Sequence, residues 1–269
     1  MDLSVNNVLF AFLLTLLAGL STGIGSVMSL YVKQTNIKFL SASLGFSAGV
    51  MIYVSLIELF PNAKEALSSV FGLRTGYIYT TIFFFVGILF IGIIDRLIPN
   101  PYNPHEFNDM EDLKKSVADK QLLRLGTFSA LAIGIHNFPE GLATFTSALQ
   151  DNILGISIAI AVAIHNIPEG IAVSVPIYYA TGDRKKAFKY SFISGLFEPI
   201  GALIGYFILR RFLNEVMFGI VFAIVAGIMV YISLDELLPS AEKYGHHHIA
   251  IYGLFAGMAV MAISLLLFA

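Results

Sequence analysis

The chain reads as an all-α integral membrane protein of eight transmembrane helices arranged as an inverted repeat, and three observations predict this. Of its 269 residues, 57% are hydrophobic and only 13% charged, against roughly 25% charged in soluble domains, and the mean hydropathy is +0.80. Apolar runs of about 20 residues, enough to cross a bilayer, recur along the whole length, so that residues 1–269 form one polytopic membrane domain. Finally, AGVMIYVSLIELFPNA at 48–63 returns as AGIMVYISLDELLPSA at 226–241, agreeing at ten of sixteen positions. The runs are continuously apolar, whereas membrane-barrel strands alternate in stretches of about ten residues. The spans are therefore helices.

The first span covers about 6–30. Residues Met1 to Asn7 hold no Lys or Arg and the apolar run continues past Gly25, which predicts a retained helix and not a cleaved leader. Spans two and three cover about 39–60 and 77–98. The long loop that follows, about 99–124, is punctuated by proline and then charged, with a short surface helix expected around Met110 to Ala118. Span four, about 125–149, contains HNFPEG at 136–141, and span five, about 153–179, contains HNIPEG at 165–170. Span six, about 187–209, has SGLFEPIG at its middle; spans seven and eight cover about 216–238 and 248–268.

Twelve of the 16 Lys and Arg residues fall in or beside the loops after spans one, three, five and seven, and four in the other loops. By the positive-inside rule both termini lie outside and the loop 99–124 is cytoplasmic. In that orientation the repeated segment runs through the membrane once in each direction. AGLSTGIGS at 18–26 aligns with SGLFEPIGA at 194–202 in the same scheme, so spans 1–3 mirror spans 6–8 and spans 4 and 5 mirror each other. A duplication can leave a symmetric scaffold with no present role. In membrane carriers, inverted repeats supply two near-equivalent conformations that open to opposite sides around a midplane site.

Within each HNxPEG motif, His and Glu are four residues apart, so on a helix they share a face about 6 Å apart and make a chelating pair. The Pro between them donates no hydrogen bond, which frees the carbonyls of Ile135 and Ile164 and predicts helices broken beside His136 and His165. Counting along the spans puts His136, Glu140, His165, Glu169 and Glu198 at one depth. A lone carboxylate there costs at least about 2.5 kcal/mol, and a divalent cation offsets that cost. Asn137 and Asn166 either join this site or bridge helices. The chain has no cysteine, so a metal site uses imidazole, oxygen or thioether ligands, which suits Zn, Fe(II), Mn, Co and Cd better than Cu(I). Two His and three Glu leave room for one ion or two. Met51 and Met229 fall near mid-span, where a Met more often fills core space than binds metal. Glu58, toward the outer end of span two, and Asp235 and Glu236, toward the inner end of span seven, are either stations on an ion path or interfacial helix-end residues. His246, His247 and His248, and His105 with its acidic neighbours, are either loop metal-capture sites or solvated histidines.

HNFPEG, HNIPEG, SGLFEPIG and the paired AGxMxYxSLxELxP segments together resemble the ZIP (Zrt/Irt-like) family of divalent metal transporters, and are most similar to its bacterial zinc-uptake branch. The resemblance covers all eight spans. It implies a transport site of His136, Asn137, Glu140, His165, Asn166 and Glu169, joined by Glu198, with Met51 at a position that ligates metal in relatives. It also implies a homodimer in a bacterial plasma membrane that moves divalent metal ions, as substrate, into the cytoplasm, with no organic cofactor and no nucleic-acid partner. Asn166 stands where zinc-selective relatives place an acid, so a broader range of divalent ions is expected. A channel-like permease would use the same ligands without two symmetric states. An intramembrane zinc hydrolase is the rival class; against it, the motif is not H-E-x-x-H, and catalysis gives no reason for two copies.

Overall fold

The computed structural model describes residues 5–31, 36–97, 115–150, 152–209, 214–243 and 247–268, and among these every regular element is helical. In order they are α1 (Val5–Tyr31), α2 (Ile37–Val54), a π-helical segment π1 (Ser55–Leu59), α3 (Phe60–Phe71), α4 (Leu73–Leu97), α5 (Lys115–Gln150), α6 (Asn152–Thr181), α7 (Arg184–Gly195), α8 (Phe197–Ile204), π2 (Gly205–Leu209), α9 (Glu215–Tyr231), π3 (Ile232–Leu237), α10 (Leu238–Lys243) and α11 (His247–Phe268). Side-chain caps start several of them. Asn36 accepts from the Phe39 N–H, Asp183 from those of Lys185 and Lys186, and Asn214 from that of Met217; each satisfies donors that a helix start leaves unpaired. Gly72 and Gly182, both at positive φ, end α3 and α6 with a backbone that residues bearing a Cβ disfavour.

Among the described residues, six helical stretches are long and apolar enough to cross a membrane: Val5–Val27, Ile37–Phe71, Leu73–Leu97, Ile158–Thr181, Glu215–Lys243 and His247–Leu266. These make the chain an all-α, multi-pass membrane protein. Ile37–Phe71 and Glu215–Lys243 extend past the ends expected from hydropathy, 60 and 238, because α3 and α10 continue α2 and α9 through π1 and π3. Helix α5 begins at Lys115, so the described part of the expected surface helix, 115–118, is its first turn. Residues 98–114, including His105, and His246 lie outside the described residues.

The helices form two groups. In one, α1 packs on α6 and α7, and α5 on α6 and α8; in the other, α2 packs on α11, α4 on α9, and α3 on both α4 and α9. The groups meet chiefly where α2 crosses α6 and α5 crosses α9. Four crossings inside the groups share one construction. A Cβ on Gly49 would overlap the Leu254 carbonyl oxygen while one on Gly257 would overlap that of Phe46, and Gly227 and Gly87 meet the carbonyls of Phe84 and Ile224 in the same reciprocal way. Gly25 with Gly170 (against Ile167 and Thr22) and Gly141 with Gly201 (against Glu198 and Phe138) repeat it in the first group. In every case the carbonyl belongs to the residue three before the partner glycine. Helix association in lipid depends on such close backbone approach.

The helices of the two HNxPEG motifs are not broken. Helices α5 and α6 run through Pro139 and Pro168 without interruption, which membrane helices tolerate where neighbouring helices pack around them. The interruption falls instead in span six, where Leu196 separates α7 from α8 three residues before Pro199. Of the π-helical segments, π2 follows α8 directly, and π1 and π3 fall at matching positions of the repeated segment. Ser55 and Ser233 donate to the carbonyls of Met51 and Met229 at 2.6 and 2.7 Å, a back-bond that loosens a helix. Pro61 and Pro239, which follow, give no N–H to the carbonyls four residues earlier.

Candidate metal centre

Helices α5 and α6 pack side by side, with Gly155 against Ala148 and Gly126 against Ile177, so they run antiparallel. Glu140 and His165 stand at one level, and His136 and Glu169 at another four residues, or one turn, further along the pair. The side chains pair accordingly, across the helices. His165 Nε2 lies 2.6 Å from Glu140 Oε1 and His136 Nε2 lies 2.8 Å from Glu169 Oε1. The expected pairing of His with the Glu of its own motif is therefore replaced by two crosswise pairs stacked one turn apart. A ring nitrogen and a carboxylate oxygen at these separations hold one proton between them. His136 and Glu169 are fully buried, and the His165 and Glu140 side chains are only 5% and 10% exposed.

The asparagines tie this pair of helices to its neighbours. Asn137 Nδ2 donates to the Ser194 carbonyl at the end of α7, 3.1 Å away. Asn166 Nδ2 donates to the Ala18 carbonyl of α1 at 3.0 Å and also to Glu198 Oε1. Ala18 and Ser194 are equivalent positions of the AGLSTGIGS and SGLFEPIGA alignment, so the two asparagines clamp matching helices. Glu198, fully buried in the first turn of α8, joins the site through Asn166. Each of these residues keeps an atom free: Oε2 of Glu140, Glu169 and Glu198, Nδ1 of His136 and His165, and Oδ1 of Asn137 and Asn166 have no hydrogen-bond partner among the described residues. A buried acceptor left so costs about 1–3 kcal/mol, and a divalent cation is the ligand that three carboxylates, two imidazoles and two amide oxygens suit.

Met51 lies fully buried in the aliphatic core with Met229. Glu58, half-buried on π1, is close enough to interact electrostatically with His165 and Glu140. Asp235 and Glu236 sit on π3 at the opposite end of the assembly. There Asp95 of α4 joins them, each of the three offering an oxygen within 4.8 Å of the others. Arg124 of α5 reaches across from the other group, with Nη2 2.7 Å from Asp95 Oδ1 and Nη1 3.5 Å from the buried Glu236 Oε1. The sequence reading missed Asp95 and Arg124; the signal available was a lone acid and a lone base at the ends of otherwise apolar spans. His247 pairs with Glu242 at 2.9 Å and His248 stacks on Tyr252, both on the exposed start of α11.

A profile of the ZIP zinc transporter family matches residues 99–265. Similar proteins, each named zinc transporter ZupT, include one from Chlorobaculum parvum, 66% identical over 98% of this chain and 99% of its own. Others come from Oceanobacillus iheyensis, 62% identical over 98% and 100%, and from Clostridium perfringens, 61% identical over 98% of each.

Proposed function

The chain belongs to the ZIP zinc transporter family, and from that premise we propose that it carries divalent metal ions, zinc foremost, into the cytoplasm by alternating access to the crosswise His–Glu site. It is a transporter and not an enzyme. The observation that carries the site assignment is the stack of two buried pairs, His136 with Glu169 and His165 with Glu140, each retaining an open carboxylate oxygen. The ion exchanges its water shell for these groups. Asn137, Asn166 and Glu198 add oxygen ligands beside them, and Met51 on α2 offers a thioether from the other group of helices. The number of ions held at once is one or two.

The route follows from the ends of the assembly. With both termini outside and the loop 99–124 inside, Glu58 lies on the outer approach and receives the ion next to the His165–Glu140 pair. Asp95, Asp235 and Glu236 lie at the inner end and accept it on release, with Arg124 occupying them between passages. Alternation between the two openings is favoured by the eight-span inverted repeat. That layout draws support from the four reciprocal glycine crossings, the matched back-bonds of Ser55 and Ser233 and the matched clamps of Asn137 and Asn166. The group carrying both motifs moves against the other, since each is packed internally through glycine crossings while the contacts between them are fewer. The apolar outer faces of α4 and α11 suit a homodimer in a bacterial plasma membrane.

The test is zinc uptake into liposomes holding only this protein. Saturable filling by the wild type and loss of it in Glu140→Ala/Glu169→Ala is the expected result; equal filling by the two ends the proposal.

A further inference from the structure

We infer that the cationic face at the start of α7 is a binding site for the headgroups of anionic phospholipids, which hold the motif-bearing group of helices at the membrane surface. Helix α7 opens with Arg184, Lys185 and Lys186, followed by Lys189. Asp183, the nearest acid, directs its carboxylate to the N–H groups of Lys185 and Lys186 as a cap. Arg184 turns back onto α6, where its guanidinium lies 5.5 Å from the centre of the Tyr178 ring. Lys185 and Lys189 are exposed and Lys186 half-buried, and none of the three has an ion-pair partner among the described residues.

Their position gives the charge a direction. From Lys186 and Lys189 the same helical face continues through Ile193, Phe197, Ile200, Leu203 and Phe207, all 37–72% exposed, at spacings of three and four residues. Apart from Phe197, whose ring edge rests against Gly134 of α5, the stripe is turned outward toward acyl chains. The lysines cap its end, with Tyr190, 36% exposed, beside them at the depth aromatic rings favour. The ammonium groups therefore stand over lipid and not over a water-filled passage, and a phosphodiester headgroup is the anion at that level. Each lysine near an anionic surface strengthens attachment about fivefold at low salt. Helix α7 also carries Ser194, whose carbonyl receives Asn137, so headgroup binding reaches the metal centre through one hydrogen bond. The inference rests on the membrane placement of the chain and not on the ion carried.

The experiment compares the full-length protein with Lys185→Gln/Lys186→Gln/Lys189→Gln, with the corresponding triple Arg variant, and with Lys64→Gln/Arg74→Gln as a control for charge lost elsewhere. Retention of phosphatidylglycerol against phosphatidylcholine is read by native mass spectrometry from mixed nanodiscs, on samples of equal melting temperature. Wild type, the Arg variant and the control should retain phosphatidylglycerol in a salt-sensitive manner, and the Gln variant should lose at least tenfold of it. Equal retention by wild type and the Gln variant, or retention of both lipids alike by the wild type, overturns the inference. Because lipid retention is read without transport, this outcome is separable from failure of the uptake assay.

Discussion

Crosswise pairing makes a prediction that same-helix pairing does not. Consider His136→Ala, Glu140→Ala and Glu169→Ala, singly and in the two doubles that share His136, in detergent with a chelator present. The His136–Glu169 contact is 2.8 Å long with both groups fully buried, a hydrogen bond to a charged group, worth about 1.5–3 kcal/mol. The double His136→Ala/Glu169→Ala should therefore be less destabilised than the sum of its singles by about that amount. His136 and Glu140 share a helix face without a hydrogen bond between them, so the coupling in their double should be clearly the smaller of the two. A melting curve resolves this, since 1 kcal/mol moves the midpoint of a domain of this size by roughly 2–4 °C. The reasoning is refuted if the larger coupling appears between His136 and Glu140. That outcome would mean each motif closes on itself and the two helices are shifted by a turn.

Three further outcomes are expected. Gly49→Ala and Gly227→Ala, each driving a Cβ into the carbonyl of a facing helix, should cost about 1–3 kcal/mol and cost alike, read as a fall in melting temperature; unequal effects would count against their equivalence. Arg124→Gln leaves the Asp95 and Glu236 carboxylates together without their cation and should cost about 3–5 kcal/mol, with stability partly regained in Arg124→Gln/Asp95→Asn. Glu236→Gln should lower the maximal rate of zinc uptake several-fold while leaving the half-saturating concentration near that of the wild type, because it acts at release; a pure change in half-saturation would contradict that role.

Much of the architecture was legible in the sequence because bilayer length and apolar composition constrain it so strongly. The matched π1 and π3 were not, because neither the repeated AGxMxYxSLxELxP segment nor hydropathy shows a helix widening to π geometry, which depends on Ser55, Ser233 and the following prolines acting together. Prolines 139 and 168 misled for the opposite reason. Local rules price a missing N–H and a ring clash, whereas α1, α2 and α8 pack around these helices and keep them continuous. That His136, Glu140, His165, Glu169 and Glu198 come together in the interior was visible from residue type and depth. Their pairing was not, since a motif's internal spacing is more conspicuous than the register of two antiparallel helices. Arg124 and Asp95 escaped because neither sits in a motif and their partnership joins helices from separate groups.

The most direct test of the metal centre is an anomalous difference map, recorded at the zinc edge, of crystals grown with the ion. A peak between the His136–Glu169 and His165–Glu140 pairs, within bonding distance of at least one His and one Glu from different helices, is the expected result. Zinc found only at the Asp95, Asp235 and Glu236 cluster, or only at His247 and Glu242, would contradict it.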